Sequence, residues 1–304
     1  MNHHSSLSSS EEPPEISAGA TDRGRKRESN QDQFLIAQLN KSMLVDSTSL
    51  DFEDRLFGRM QSEILLVADG MGGHAAGEEA SQLAIQHLVR RLLNSIHWFD
   101  QQEDDTQRES EFINDLKRLL KDAHRRLLRE SAQHFERRGM GTTLTMAHLV
   151  WPRMYVVHAG DSRCYLVRDG EAEQITTDHT LAHQMVEAGG LKPEDEAGSR
   201  WSNVLWNVLG GHSEGDLIAE VHRVELSPGD VVVLCTDGLY RYVDKETIAE
   251  IVQNTDSSAE ACETLITLAN ERGGEDNITV IVSSPEPGGM HSTWLDNDDT
   301  IISD

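Results

Sequence analysis

Hydrophobic positions along the chain follow two kinds of pattern. From Gly77 to about Phe99, the residues Ala80, Leu83, Ala84, Leu88, Leu92 and Ile96 recur at spacings of three and four, and from Glu109 to Arg137 the residues Phe112, Leu116, Leu119, Leu120, Ala123 and Leu127 do the same. That period is one face of an α-helix, so the spacing predicts two amphipathic helices with charged outer faces, the second stopped by Gly139. Two shorter helices are expected at about 245–254 and 258–271. The remaining apolar runs are short and β-branched: Ile64–Ala68, Thr143–Val150, Tyr155–Ala159, Cys164–Val167, Leu217–Val224, Val231–Cys235 and Ile278–Val282 read as strands. Strands joined by hairpin-length connections, with the long helices in one block, argue for an α+β fold of antiparallel sheets covered by helices rather than a βαβ alternation. Residues 178–212 are a polar, Gly-bearing excursion with Trp201 and Trp206, either a flap over a site or a long surface connection.

Both ends of the chain lack anything to bury. Residues 1–16 are rich in Ser, Glu and Pro, and 285–304 pass from Pro and Gly into an acidic stretch around Asp296, Asp298 and Asp299. Both read as disordered segments flanking one domain at 17–284. Asp and Glu number 53 against 27 Lys and Arg, a formal net charge of −26, which repels phosphate backbones and anionic membranes, so neither nucleic acid nor membrane is an expected partner. Cys164, Cys235 and Cys262 form no CxxC pair and are odd in number, which argues against a disulfide framework or thiolate zinc site and for a reducing compartment. No apolar run reaches the roughly 18 residues of a membrane helix, and the N-terminus has no signal-like apolar core. A cytoplasmic monomer is the expectation.

Candidate chemistry lies where the strands end. The run from Ile64 leads into Asp69-Gly70, that from Tyr155 into Gly160-Asp161, that from Val231 into Asp237-Gly238, and Asp276 precedes the run from Ile278. A lone Asp-Gly is usually a turn. Four such carboxylates at strand ends can converge on one sheet edge, and carboxylates without His or Cys partners suit a hard cation, Mg²⁺ or Mn²⁺, rather than zinc.

The stretches around these residues resemble a known family in order along the chain. Thr21–Phe34, Val67–His74, Gly139–Thr143, His158–Arg163, Thr177–Thr180, Leu234–Leu239 and Gly274–Val280 are similar to the motifs of the metal-dependent serine/threonine protein phosphatases of type 2C, the second in its bacterial form. The resemblance implies an αββα sandwich, two packed antiparallel sheets flanked by helices. It implies hydrolysis of phosphoserine and phosphothreonine in proteins, in opposition to a cognate Ser/Thr kinase, by in-line attack of a hydroxide held between two Mn²⁺ or Mg²⁺ ions. Carried over residue by residue, Asp69 would bridge both ions, the Gly70 carbonyl would help hold one, and Asp237 and Asp276 would complete the other. Asp161 would hold a third, weaker ion together with Asp237. Asp32 would hold a metal-bound water, and Arg27 would bind the phosphate through its planar fork.

Several positions depart from the family pattern. Gln31 stands where many relatives have a Glu ligand, and Met71 where eukaryotic members have a His proposed as general acid; a thioether cannot donate a proton. His74 is a less favoured donor, better read as a helix-start residue. His179 reads as a loop anchor, Arg163 as half of a structural ion pair, and Thr142 and Thr143 as packing beneath the site. Residues 41–62 lengthen the first hairpin and carry an apolar face of Phe52, Leu56 and Phe57. In the tail, Thr293 has Asp296 at the third place after it, a pattern that when phosphorylated suits the basic pocket of a forkhead-associated domain. Two other functional readings stay open at this point: a silent homologue serving as a binding module, and a hydrolase of small phosphate esters.

Overall fold

The apolar run at Ile64–Ala68 lies at the centre of the computed structural model, which describes residues 16–41, 60–95, 106–211 and 216–286. Side chains alternate across a strand. Ile64, Leu66 and Ala68 pack among helix residues such as Ala80, Leu88, Leu116 and Leu127. Leu65 and Val67 face the other way, among Val156, Leu166, Val232, Leu234 and Ile281. Burial on both faces explains why this strand reads as an unbroken apolar run.

In chain order the elements are β1 (Ser17–Asp22), β2 (Asp32–Lys41), β3 (Met60–Met71), α1 (His74–Ser95), α2 (Thr106–Gln133), β4 (Gly141–Thr142), β5 (Leu144–Val150), β6 (Arg153–Ala159), β7 (Arg163–Arg168), β8 (Glu171–Gln174), α3 (Leu181–Glu187), β9 (Leu209–Gly210), β10 (Glu220–Glu225), β11 (Val231–Cys235), α4 (Asp237–Tyr240), α5 (Lys245–Asn254), α6 (Ser258–Arg272) and β12 (Ile278–Ser283). One antiparallel sheet runs β1-β12-β11-β7-β8; the other runs β10-β6-β5-β3, with β2 on the far edge of β3 and the short β4 and β9 continuing from its end. Helices α1 and α2 cover the outer face of the second sheet, α5 and α6 that of the first, and the third core cluster fills the space between sheets. The fold is therefore the αββα sandwich that the resemblance implies.

Differences from the expected elements have local causes. The second long helix stops at Gln133 rather than Arg137, and a short 3-10 turn at Phe135–Arg137 follows. Glu130 accepts from Arg137 Nη1 at 2.7 Å and Ser131 Oγ accepts from the Gly139 N–H at 3.0 Å, which folds the chain back over the last helical turn. The excursion at 178–212 holds a helix, α3, capped by Thr180 Oγ1 and tied down where Leu181 and Ala182 donate to the carbonyls of Val204 and Trp201. Phe52, Leu56, Phe57 and Thr293 lie outside the described residues, as do nearly all of both terminal segments. Among the described residues no helix is long and apolar enough to cross a membrane.

Candidate metal centre

Antiparallel pairing sets the first two carboxylates side by side, since Asp69 near the end of β3 is registered opposite Asp32 at the start of β2. Threonines behind them fix the backbone. The Asp69 N–H donates to Thr143 Oγ1, and the Asp69 carbonyl accepts from Thr142 Oγ1 and from the Thr143 N–H, each at 2.9 Å. Asp237 opens α4 directly after β11, and Asp276 lies just ahead of β12, the strand to which β11 is paired. Two hydroxyls then cross between the sheets: Thr236 and Thr279 both donate to Asp32 Oδ2 at 2.7 Å. The backbones come closer here than any side chain allows. A Cβ on Gly70 would lie 2.1 Å from the Gly77 carbonyl oxygen, and one on Gly238 would lie 2.0 Å from that of Asn277. These glycines let the starts of α1 and α4 close down on the strand ends.

The cluster is electrostatically strained without a cation. Burial and the charges of Asp237 and Asp276 push Asp32 up to about 7, although two hydroxyls oppose the shift. Burial and Asp237 carry Asp161 to about 8, and burial carries Asp237 to about 6 against the pull of Arg241, which forms an ion pair with it. Asp69 is held well above the ordinary carboxylate range by burial and by its four acidic neighbours, Asp32, Asp237, Asp161 and Asp276. Asp32 Oδ1 and Asp237 Oδ1 are buried with no hydrogen-bond partner. Crowded, oxygen-only donors with orphaned lone pairs fit a hard divalent cation, which supplies the missing partner and the missing charge.

Arg27 Nη2 lies 2.6 Å from Asp276 Oδ2 while its side chain stays half exposed. It lines a cleft of about 380 Å³ with Lys26, Glu28, Ser29, Gln31, Gly72, Gly73 and Asn277, and Met71 is exposed beside it. The Gln31 carbonyl accepts from the Gly70 N–H and Ser81 Oγ, so this residue ties β2 to α1 through its backbone. The His74 side chain lies outside the described ones. Asp161 Oδ2 accepts from the Tyr240 hydroxyl at 3.3 Å. Arg163 is bidentate to Asp178 and lies 3.6 Å over the Tyr240 ring, a structural ion pair that braces the wall behind Asp161.

Sequence reasoning did not single out Thr236, Thr279, Tyr240 or Asn277. Asn277 Oδ1 accepts from the Gln31 N–H and its Nδ2 donates to the carbonyls of Arg23 and Ser29, pinning the β1–β2 turn at the cleft. Its place beside Asp276 was the available signal. A second cluster, His158, His179 and Glu220, also brings ligand-type atoms within 4.8 Å. Its ring nitrogens are already engaged. His179 Nδ1 accepts from the Gly160 N–H and Asn207 Nδ2, Nε2 lies 3.2 Å from Glu220, and His158 reaches Thr145 Oγ1 and the Thr177 carbonyl. His179, stacked on His158 and edge-on to Trp206, anchors the loop ahead of Asp161.

Comparison with known proteins agrees with this geometry. The family model of protein phosphatase 2C matches residues 48–274. The serine/threonine phosphatase stp of Listeria monocytogenes is 32% identical over 262 residues, 86% of this chain and 92% of that protein. The solved Mycobacterium tuberculosis phosphatase PstP/Ppp is 33% identical, with a TM-score of 0.70 over 89% of this chain and 98% of its own. A solved PstP catalytic domain in complex with two manganese ions is also 33% identical, with a TM-score of 0.67 over 88% and 96%. An αββα sandwich with carboxylates gathered at its strand ends is the class that fold and site define. The chain belongs to the protein phosphatase 2C family, in its bacterial branch.

Proposed function

We propose that this phosphatase hydrolyses phosphoserine and phosphothreonine in proteins with Mn²⁺ or Mg²⁺ as cofactor, in the cytoplasm, as a monomer, in opposition to a Ser/Thr kinase. Residues 17–284 are the catalytic unit in this reading, and a phosphorylated Thr293 would recruit a forkhead-associated domain. The observation that carries it is the convergence of Asp32, Asp69, Asp237 and Asp276, two of them with orphaned buried oxygens, beside an arginine-lined cleft. Asp69, Asp237 and Asp276 are all present, which favours an active enzyme over a silent homologue.

Asp69, the Gly70 carbonyl, Asp237 and Asp276 would hold two ions, and Asp161 with Asp237 a third. Bound there, such ions would lower the pKa of a coordinated water from about 15.7 towards neutrality and offset phosphate charge. The chain's own groups do the rest. Asp32 Oδ2 is taken up by two threonine hydroxyls, so Oδ1 is the atom left to accept a water proton and orient that water. Arg27 exchanges Asp276 for the phosphoryl oxygens, which its fork bonds in pairs as charge builds in the in-line displacement. Met71 offers no proton to the departing serine or threonine oxygen, which takes one from water in the open cleft. The decisive experiment is phosphate release from a phosphothreonine peptide. Activity should depend on Mn²⁺, vanish in EDTA, and fall by several orders of magnitude in Asp69→Asn or Asp237→Asn. Full activity in EDTA with no metal found by elemental analysis would refute the reading.

A further inference from the structure

The proposed chemistry uses Arg27 and leaves its neighbours unassigned. The turn between β1 and β2 carries Arg23, Arg25, Lys26 and Arg27, four cations in five positions of a chain with 53 acidic and 27 basic residues. All four are exposed. Along α2, by contrast, clustered cations face acids on their own helix, as Arg118 with Asp115, Arg125 with Asp122 and Arg126 with Glu130 do. Arg25 differs. Its N–H is held by the Gly274 carbonyl at 2.7 Å, while its guanidinium has no ion-pair or hydrogen-bond partner among the described residues.

The backbone of the turn is also pinned. Asp22 Oδ1 accepts from the Gly24 N–H, Asn277 holds the carbonyls of Arg23 and Ser29, and Gly274 holds Arg25, so the cations are fastened to the same loop that carries Asp276. Lys26 and Arg27 line the cleft itself. Lys26 pairs with Glu275, but both side chains are more than half exposed, and a pair so wet is weak enough for another carboxylate to replace Glu275. Charges carried on a held backbone at the mouth of a site select partners by electrostatic complementarity, although their exposed side chains still lose rotamer freedom on contact.

We propose that this turn selects substrates whose phosphorylated residue is flanked by Asp or Glu, with Arg25 and Lys26 contacting the flanking carboxylates. The proposal rests on the phosphatase reading above and names its substrate class. Two phosphothreonine peptides that differ only in flanking Asp and Glu against Asn and Gln test it, assayed with Mn²⁺ on the full chain. The acidic peptide should have a kcat/KM roughly three- to tenfold higher at low salt, as expected for one or two solvent-exposed charge contacts. That ratio should shrink towards one at about 1 M NaCl, where the screening length is about 3 Å. Arg25→Gln should reduce the ratio and Arg25→Glu should erase or invert it, each compared with its own rate on the neutral peptide so that a folding defect cancels. A ratio of one in the parent, or an equal loss on both peptides in Arg25→Glu, overturns the selectivity while leaving the phosphatase reading intact. No phosphate release from either peptide overturns the phosphatase reading instead.

Discussion

Asp32 offers a test in which stability and activity should move in opposite directions. Its carboxyl titrates at about 7 in the metal-free fold and at about 3.8 in the unfolded chain. An acid whose pKa is raised by folding costs nothing below its unfolded value, costs progressively more as the pH rises, and reaches its full cost above the folded value. Here that cost is about 4 kcal/mol at neutral pH. Asp32→Asn removes the charge while its amide oxygen can still accept from Thr236 and Thr279. The amide nitrogen then occupies the place of Oδ1, which has no partner, and an unsatisfied buried donor costs about 1–3 kcal/mol. The metal-free variant should therefore be more stable than the parent by about 2 kcal/mol near pH 7.5, with the difference gone by about pH 5 and reversed at about pH 4, where the carboxyl is neutral and only the unsatisfied amide donor remains. Urea unfolding in EDTA across that range measures it. Manganese should narrow the gap, because the parent's cluster gains more from a cation than the variant's does. Phosphatase activity should fall despite the stability gain. A variant less stable than the parent in EDTA at every pH would refute the claim that repulsion and burial dominate this cluster.

Other outcomes follow from the same geometry. Arg27→Ala should keep bound metal but lose about 2–4 kcal/mol of transition-state stabilisation on a phosphopeptide, with Arg27→Lys restoring part, since a point charge cannot reproduce the fork; an unchanged kcat/KM would make Arg27 a bystander. Asp161→Ala should lower activity most on protein substrates while two ions per chain remain by elemental analysis; identical rates and stoichiometry would leave Asp161 as a turn former. His148 is buried with neither nitrogen bonded, and burial lowers it to about 4 from the ordinary 6.5. Its neutral folded form makes the protein lose stability as the pH falls from about 6.5 to 4, by at most about 3 kcal/mol. The advantage of His148→Leu in urea unfolding should grow over that window, and a pH-independent difference would contradict it.

Much of this molecule is legible in its sequence because the relevant signals are local. The helices at Lys245–Asn254 and Ser258–Arg272 bury one stripe each, so their period is written in the chain. The runs ending in Asp69, Asp161 and Asp237 are buried strands, and a carboxylate directly after such a run has few explanations. What the sequence could not show is held by long-range pairing. The strand Ser17–Asp22 has little apolar character of its own and exists because β12 supplies its hydrogen bonds and Cys262 of α6 packs on its Ala18 carbonyl. Asp32 acquires its role from Thr236 and Thr279, two hydroxyls more than two hundred residues away that arrive from the opposite sheet. The type of each carboxylate was set by the sequence alone. Their convergence, and so the charge repulsion that makes them want a cation, was decided only when two sheets packed face to face and excluded the water that would otherwise have screened them.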